Sequence, residues 1–553
     1  MDFVVADFET TTVMDDCRVW AWAICDPNDS SVVYGNSIES FINSLNRYNV
    51  VYFHNLAFDG SFILDYLLKN GFSYTNTRYP KRSQLSTLID DKGKFYTITV
   101  NIKGHRVTFK DSLKRIPMSV AAMAKMYDMP IAKGHIDYNA PREKGHVLTM
   151  EEIEYIKGDV VIVANALKEQ YEHGMTKLTT GSNAFADYKK IVTSSKLKFR
   201  DIFPVVDDSL FRSAYRGGFT YCDPRYKSRS VGNGTVYDVN SLYPSVMYDR
   251  VLPYGYPIMD LDIETNDDYP LAIIHATITA KLKKDHIPCI QIKGSSFFIP
   301  TDYVKSITEP TELYFTNVDL DLWRNQYDVN ILEVINVWHF HGHKGFFTEY
   351  IDKWMNVKQN STGGKRAIAK LMLNSLYGKF ATNPTKISKY PTIDNGVLSL
   401  EVGEERQDDP VYTAMGIFIT AYARSVTVNA AQSVYPRFCY ADTDSLHVIG
   451  ELHDKLDVDP VRLGAWKIEQ HFTDARFLRA KAYVEQVAEC TCGKLPHERG
   501  CGFVTHIAGL PVSVAKSVTF DDLTNGHVFR GKLLPKRVPG GIVLTEVGYT
   551  LKF

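Results

Sequence analysis

Two aspartates, Asp442 and Asp444, stand one residue apart in CYADTDSLHVIG, between apolar flanks. Close carboxylates repel each other unless a cation lies between them, so the pair points to a divalent metal. A two-metal centre draws ligands from several parts of the chain, and Asp238 is a partner of the right type. It follows the β-rich run TVYDV, which places it at a strand end beside the backbone amides of Val239 to Leu242. Successive amides of this kind cradle anions such as a triphosphate. Tyr243 lies five residues beyond Asp238, where a ring can stack under a deoxyribose and clash with a 2′-hydroxyl. In KQNSTGGKRAIAKLMLNSLYGKF, the residues Arg366, Lys370, Asn374 and Tyr377 follow spacings of four, four and three and form one helical stripe. A solvated face explains Arg366 and Lys370 well, and Asn374 and Tyr377 less well. Cations for phosphates and a ring for a base suit a nucleoside triphosphate. Lys358, before the NSTGG break, adds a further cation. Asp238 and Asp444 would hold two Mg²⁺ ions, one acidifying an attacking hydroxyl and one holding the triphosphate and leaving pyrophosphate.

A second carboxylate set lies upstream. Asp7 and Glu9 end the apolar run FVVADFET and share a strand face. Asp59 follows VVYFHNLAF, with Asn55 and Phe58 just before it. TMEEIEYIKGDVVIVANALKEQY reads as a helix opened by a Thr149–Glu152 capping box. Tyr155 and Asp159 are four apart on it and share a face. Any one of these acids is most simply a solvated surface group. As an ordered set they suit two divalent cations activating water against a phosphodiester, with Tyr155 orienting the water.

These sites need elements to hold them, and a chain of 553 residues with 44% hydrophobic content has core material for three or four domains. RFCYA and SLHVIG read as a hairpin with the acids at its tip. Net charge is −1, so a nucleic-acid surface has to be a local groove. No apolar run is long enough to suggest a membrane span, and the acid-bearing N-terminus MDFVVADFETTT does not read as a signal peptide. Eight scattered cysteines predict a reduced intracellular protein. Cys490, Cys492, His497 and Cys501 form C-x-C-x4-H-x3-C, a set that suits tetrahedral Zn²⁺, although its first spacing is tighter than usual. The alternative is a reduced surface loop. The stretch between Arg250 and His343 contains strand-like runs and should fold on its own. Thr382 to Tyr412 also looks inserted, with DNGV as a hairpin turn. Arg530, Lys532, Lys536 and Arg537 near the C-terminus suit phosphate contacts or an ordinary solvated tail.

DFET, NLAFD and YIKGD resemble, in order, the three exonuclease motifs of family-B DNA polymerases. DVNSLYPSVM, KLMLNSLYGKF and YADTDS resemble that family's polymerase motifs A, B and C. The resemblance runs nearly end to end and is to the protein-primed branch found in small tailed bacteriophages. It implies an α/β multidomain fold: an RNase H-like 3′-5′ exonuclease domain plus a right-hand polymerase with two family-specific insertions. The implied boundaries are 1–179 exonuclease, 180–249 and 414–515 palm, 346–381 fingers and 516–553 thumb. The insertions are 250–345, for contact with a terminal protein, and 382–413, for processivity and strand displacement.

The resemblance also implies roles. Lys133 in IAKGHIDY assists the exonuclease, and Asn55, Phe58, Phe62, Ser112 and Leu113 hold a frayed single-stranded end. YRGGF, with Tyr215, Gly217 and Gly218, coordinates synthesis with editing. Lys481 and Tyr483 of KAY steady the primer end, and Thr443 joins the DNA contacts. Val239 joins the metal and nucleotide ligands. Asp444 is the steadier metal ligand and Asp442 a supporting carboxylate. Mg²⁺ is implied at both centres, with Mn²⁺ able to substitute. Implied partners are template-primer DNA, dNTPs and a terminal protein, the chain being otherwise monomeric in the cytoplasm of an infected bacterium. The competing readings are an exonuclease with a decayed polymerase half, a reverse transcriptase, and a non-catalytic DNA-binding protein.

Overall fold

The computed structural model describes residues 1–129, 134, 136–194, 198–293, 302–452, 455–487 and 500–553. The N-terminal part is built on a ten-stranded mixed sheet. Its first strand in the chain, Val4–Thr10, is buried on both faces and runs parallel to Val50–Phe53. Alternation divides this strand between two cores. Val4, Ala6 and Phe8 pack with Leu56, Ile63 and Leu67 of the helix Leu56–Lys69. Phe3 and Val5 pack with Ile156, Val160 and Val163 of the helix Met150–Glu172. Asp7 and Glu9 are in phase with Val5, so the sheet itself aims them toward the helix that carries Tyr155 and Asp159. That helix opens on a complete capping box between Thr149 and Glu152.

The second sheet has seven antiparallel strands, in the order 503–507, 482–487, 466–479, 234–239, 445–449, 438–442, 220–222. The long helix Thr413–Ser433 and the helices Thr348–Asn360 and Gly363–Ser375 share one core with it. The last two form a hairpin broken at Ser361 and Thr362. The second helix ends at Ser375, and Tyr377 starts a separate turn, Tyr377–Phe380, rather than continuing the stripe on one helix. Fully buried Leu376 sits at the bend. Strands within 252–343 make a third sheet of four strands, joined by the helix Asn317–Gln326.

Two hairpins tie the parts together. Thr385–Asp394 and Val397–Gln407 turn at Asn395 and Gly396, both at positive φ (48° and 79°). This pair adds to the N-terminal sheet, where Ser388 and Lys389 face Asp90 and Ile89 of the strand Gln84–Asp90. Tyr390 stacks on Tyr74 at 5.2 Å, and Leu398 is buried in the same core. The C-terminal hairpin, Val528–Val538 with Gly541–Thr550, plants Val538, Ile542 and Val543 in that core too. Its root packs with Leu478, Val484 and Ile507 at the far edge of the seven-stranded sheet.

Candidate active sites

Asp238 is the penultimate residue of the strand Gly234–Val239, and the register places it opposite Ser445 on one side and Lys467 on the other. The Val239 amide donates to the Asp444 carbonyl at 2.8 Å, which locks the tip of the ADTD hairpin to the end of the Asp238 strand. Thr443 turns that tip at φ 62°. Its amide donates to the Phe219 carbonyl (2.7 Å), and its own carbonyl accepts from the Thr427 hydroxyl. Gly218 lies against the tip so closely that a Cβ would stand 2.7 Å from Thr443 Cγ2. The YRGGF segment is therefore a brace for the hairpin. Arg424 holds the brace in turn, donating to the carbonyls of Arg216 and Gly217 at 3.0 Å and pairing with buried Asp319 at 2.7 Å. The Tyr215 carbonyl accepts from Lys293 at 2.9 Å.

The two hairpin aspartates are not equivalent. Lys481 Nζ reaches both Asp442 oxygens (2.6 and 2.9 Å), and the Thr220 hydroxyl donates to Oδ1 at 3.0 Å. Asp444 instead meets Asp238. Burial first, then the Asp238 charge, pushes its carboxyl from the ordinary 3.8 up to about 6. A divalent cation relieves this tension, and the hard oxygen donors suit one. Tyr483 packs on Tyr440 and His447 and stacks on His506 at 4.9 Å.

A cleft of about 880 Å³ opens beside these acids. Val239, Tyr243, Lys358, Arg366, Lys370, Asn374 and Tyr377 all line it, so the candidate nucleotide residues meet in one space. Lys358 Nζ contacts the Ser241 hydroxyl at 3.1 Å. Burial and the neighbouring Arg366, Lys467 and Lys370 lower its proton affinity. Lys358, Arg366 and Lys370 clustered on one wall of the cleft, across from the carboxylates, suit a triphosphate. Tyr243 and Tyr377 stack on each other, ring centroids 4.1 Å apart. Two further charged residues that no motif announces line the cleft: Lys467, which pairs with Asp238 at 2.7 Å, and Glu469, which lies near enough to help raise Asp444. Both stand in WKIEQHF, an unremarkable strand pattern whose register only the fold reveals.

In the N-terminal part, Asp59 occupies the first turn of its helix, with one side-chain oxygen buried and lacking a hydrogen-bond partner. Burial, then Asp7, raises its carboxyl well above the usual range, with Glu9 adding to the effect. Tyr155 feels burial, a hydrogen bond with Tyr138 (2.6 Å), Glu9 and Asp159, all of which hold its phenol protonated. Asp7, Glu9, Asp59, Asp159 and Tyr155 thus converge, and the donor chemistry suits divalent cations. Among the described residues no three such side chains form a preformed metal cage. Sites completed by substrate oxygens and water need none.

Not every candidate lands in the open. Asn55 caps the Asp59 helix at φ 81°, its amide held by buried Asp111, which also accepts from the Leu113 amide. Phe58 packs beside Phe62 at 5.6 Å. Phe62 itself is buried, with Gly541 of the C-terminal hairpin against its ring. Ser112 is fully buried, its hydroxyl 2.9 Å from His54 Nδ1 and 3.0 Å from the Phe53 carbonyl. In this conformation both residues support the site from within rather than face a strand end. Lys133, Cys490, Cys492 and His497 lie outside the described residues. Cys501 is described, and it is in a disulfide. That corrects two expectations: Cys501 offers no free thiolate to zinc, and the cysteines are not all reduced. Cys17, Cys25, Cys222, Cys289 and Cys439 are free.

The family description that matches is "DNA polymerase type B, organellar and viral", over residues 42–149 and 139–461. The DNA polymerase of Bacillus phage M2 is 43% identical across 99% of both chains. That of Bacillus phage phi29 is 41% identical across 99% of this chain and 98% of its own. That of Streptococcus phage Cp-1 is 33% identical across 100% of this chain and 98% of its own. The solved phi29 DNA polymerase complexed with primer-template DNA and incoming nucleotide substrates superposes with a TM-score of 0.93 at 40% identity, covering 100% of each chain. Both carboxylate constellations being in place, the reading of a decayed polymerase half is set aside. The chain belongs to the type-B DNA polymerases, organellar and viral, and is a DNA-directed DNA polymerase with a 3′-5′ exonuclease domain.

Proposed function

We propose that this chain replicates a phage genome from a protein primer, in the cytoplasm of the infected bacterium, and proofreads what it makes. The observation that carries the reading is that Asp238 and Asp444 meet at one end of a sheet, at the mouth of a cleft lined by Lys358, Arg366 and Lys370. Those cations receive the triphosphate of a dNTP, with the amides after Asp238 beneath it. Tyr243 and Tyr377 form one stacked platform for sugar and base, and Tyr243 excludes a 2′-hydroxyl. Lys481 and Tyr483 steady the primer end, and Gly217, Gly218 and Thr443 set the hairpin below it. When bound, Mg²⁺, or Mn²⁺ in its place, supplies a lowered hydroxyl pKa and neutralises the developing phosphate charge. Asp238 and Asp444 are its side-chain ligands, with the Val239 carbonyl assisting. In the exonuclease, Asp7, Glu9, Asp59 and Asp159 hold the corresponding ions, and Tyr155 orients water with help from Lys133. Asn55, Phe58 and Leu113 guide the frayed end, Phe62 and Ser112 shaping that channel.

Template-primer DNA, dNTPs and single strands are the substrates, in keeping with the solved phi29 complexes with primer-template DNA, incoming nucleotide and single-stranded DNA. The sheet within 252–343 receives a terminal protein, and Tyr256, Met259 and Leu261 offer it an exposed apolar strip. The 385–407 hairpin helps enclose DNA, and the protein is otherwise monomeric. Among the described residues no helix is long and apolar enough to cross a membrane. The test combines a candidate terminal protein, origin DNA, Mg²⁺ and labelled dATP. Covalent label on the terminal protein supports protein priming. Extension of a DNA primer without any protein label overturns it.

A further inference from the structure

Lys467 stands directly opposite Asp238 in the antiparallel register. Directly opposed side chains on one sheet face are neighbours by construction. The contact is thus set by the backbone, and the ammonium lies 2.7 Å from Asp238 Oδ1. The Lys467 side chain is 34% exposed and lines the same cleft as Lys358, Arg366 and Lys370. Two facts follow from that position. The ammonium neutralises a carboxylate that a divalent cation needs. It also sits on a flexible four-carbon stem, within a cleft already built for phosphates. A pair whose lysine is one-third open to solvent is a modest contact and can be exchanged.

We propose that Lys467 is a stand-in counter-ion for the metal at Asp238 in the nucleotide-free enzyme, and a further phosphate ligand once a metal-bound dNTP takes Asp238. Rested on the palm assignment above, this makes the lysine a regulator of binding order. It disfavours metal alone at Asp238 and favours metal that arrives with a triphosphate. The freed ammonium then meets the phosphate oxygens instead of facing a cation.

The test uses full-length Lys467→Met and Lys467→Gln in a background of Asp7→Ala and Asp59→Ala, so that Mn²⁺ binding reports the palm. Mn²⁺ affinity without nucleotide is read by electron paramagnetic resonance. dATP affinity is read by fluorescence on primer-template DNA with Ca²⁺. Removing the competing charge should tighten Mn²⁺ about 5–10-fold, and removing the phosphate cation should weaken dATP about 5–10-fold. In steady state, made in the chain with its exonuclease intact, KM for dNTP should rise more than kcat falls. A purely structural role weakens both ligands, and that result overturns the proposal. So does unchanged affinity for either one in both variants. Asp238→Asn in the same background is the control: if it leaves Mn²⁺ binding untouched, the palm assignment has failed and not the role of Lys467.

Discussion

Replacing Asp444 by Asn tests the origin of the palm site's charge as well as its use. Burial and the facing Asp238 raise the Asp444 carboxyl from 3.8 to about 6. A rise of that size is worth about 3 kcal/mol between the two protonation states. The sign follows from proton uptake. Between these values the folded protein holds the proton more tightly than the unfolded chain does. Stability of the metal-free enzyme is therefore lost as pH climbs from about 4 through about 6, and the whole penalty is present at pH 7.5. Asn keeps the shape and drops the charge. Metal-free Asp444→Asn should then be more stable than the parent at pH 7.5, by up to about 3 kcal/mol in the palm sheet, and no more stable near pH 4. Hydrogen exchange of the strands 234–239 and 445–449 in EDTA, at pH 4.5, 6.0 and 7.5, reads this locally. Adding Mg²⁺ should protect the parent strands and leave the variant's unchanged. In activity assays the variant should lose primer extension and still degrade single strands. A gap between parent and variant that is equal at pH 4.5 and 7.5 would refute ionisation of a buried carboxyl beside Asp238 as the cause. Extension at the parental rate would refute the metal role itself.

Asp7→Ala should give the mirror image, with degradation of a single-stranded end lost and primer extension kept, measured on the same two substrates. Gly218→Ala forces a Cβ to within 2.7 Å of Thr443 and so displaces the hairpin tip. A destabilisation of about 1–3 kcal/mol is the usual cost of such overpacking, and extension from a DNA primer should fall more than exonuclease activity does. Arg424→Met strands buried Asp319 without its 2.7 Å partner. That should cost about 3–5 kcal/mol in a thermal melt, and adding Asp319→Leu should not restore it, because Asp319 also closes the capping box with buried Thr316.

The carboxylates were legible because strand alternation and helix spacing fix which faces acids share. Asp7 with Glu9, and Tyr155 with Asp159, needed only those two periods. Asp238 and Asp444 needed the further step of a hairpin tip, which apolar flanks on either side supplied. What stayed hidden depends on register between distant segments. Lys467 opposite Asp238, Lys481 on Asp442 and Arg424 on Asp319 are each set by pairings that no local pattern encodes. Asp111, which ties the Asn55 and Leu113 loops together, is hidden for the same reason. The turn at Asn395 and Gly396 was readable, but its docking on the N-terminal sheet was not, since that depends on an edge some 300 positions earlier. Phe62 and Ser112 show the limit of inference by resemblance: the positions match, yet here packing has turned both side chains inward.

The strand Gln84–Asp90 has its neighbour on one side soon after it is made, in Phe95–Ile102. On the other side Ser73–Tyr74 covers Gln84 and Leu85, and Thr385–Asp394, made much later, covers Ile89 and Asp90. At the usual 5–20 residues per second, that edge waits roughly 15–60 s on the ribosome. Until then the backbone of Ile89 and Asp90 is an open edge, a template for wrong pairing with another nascent chain. Synthesis of the polymerase half thus closes a vulnerability in the exonuclease half. A chain truncated before Thr385 should be far more prone to aggregate than its length alone would explain.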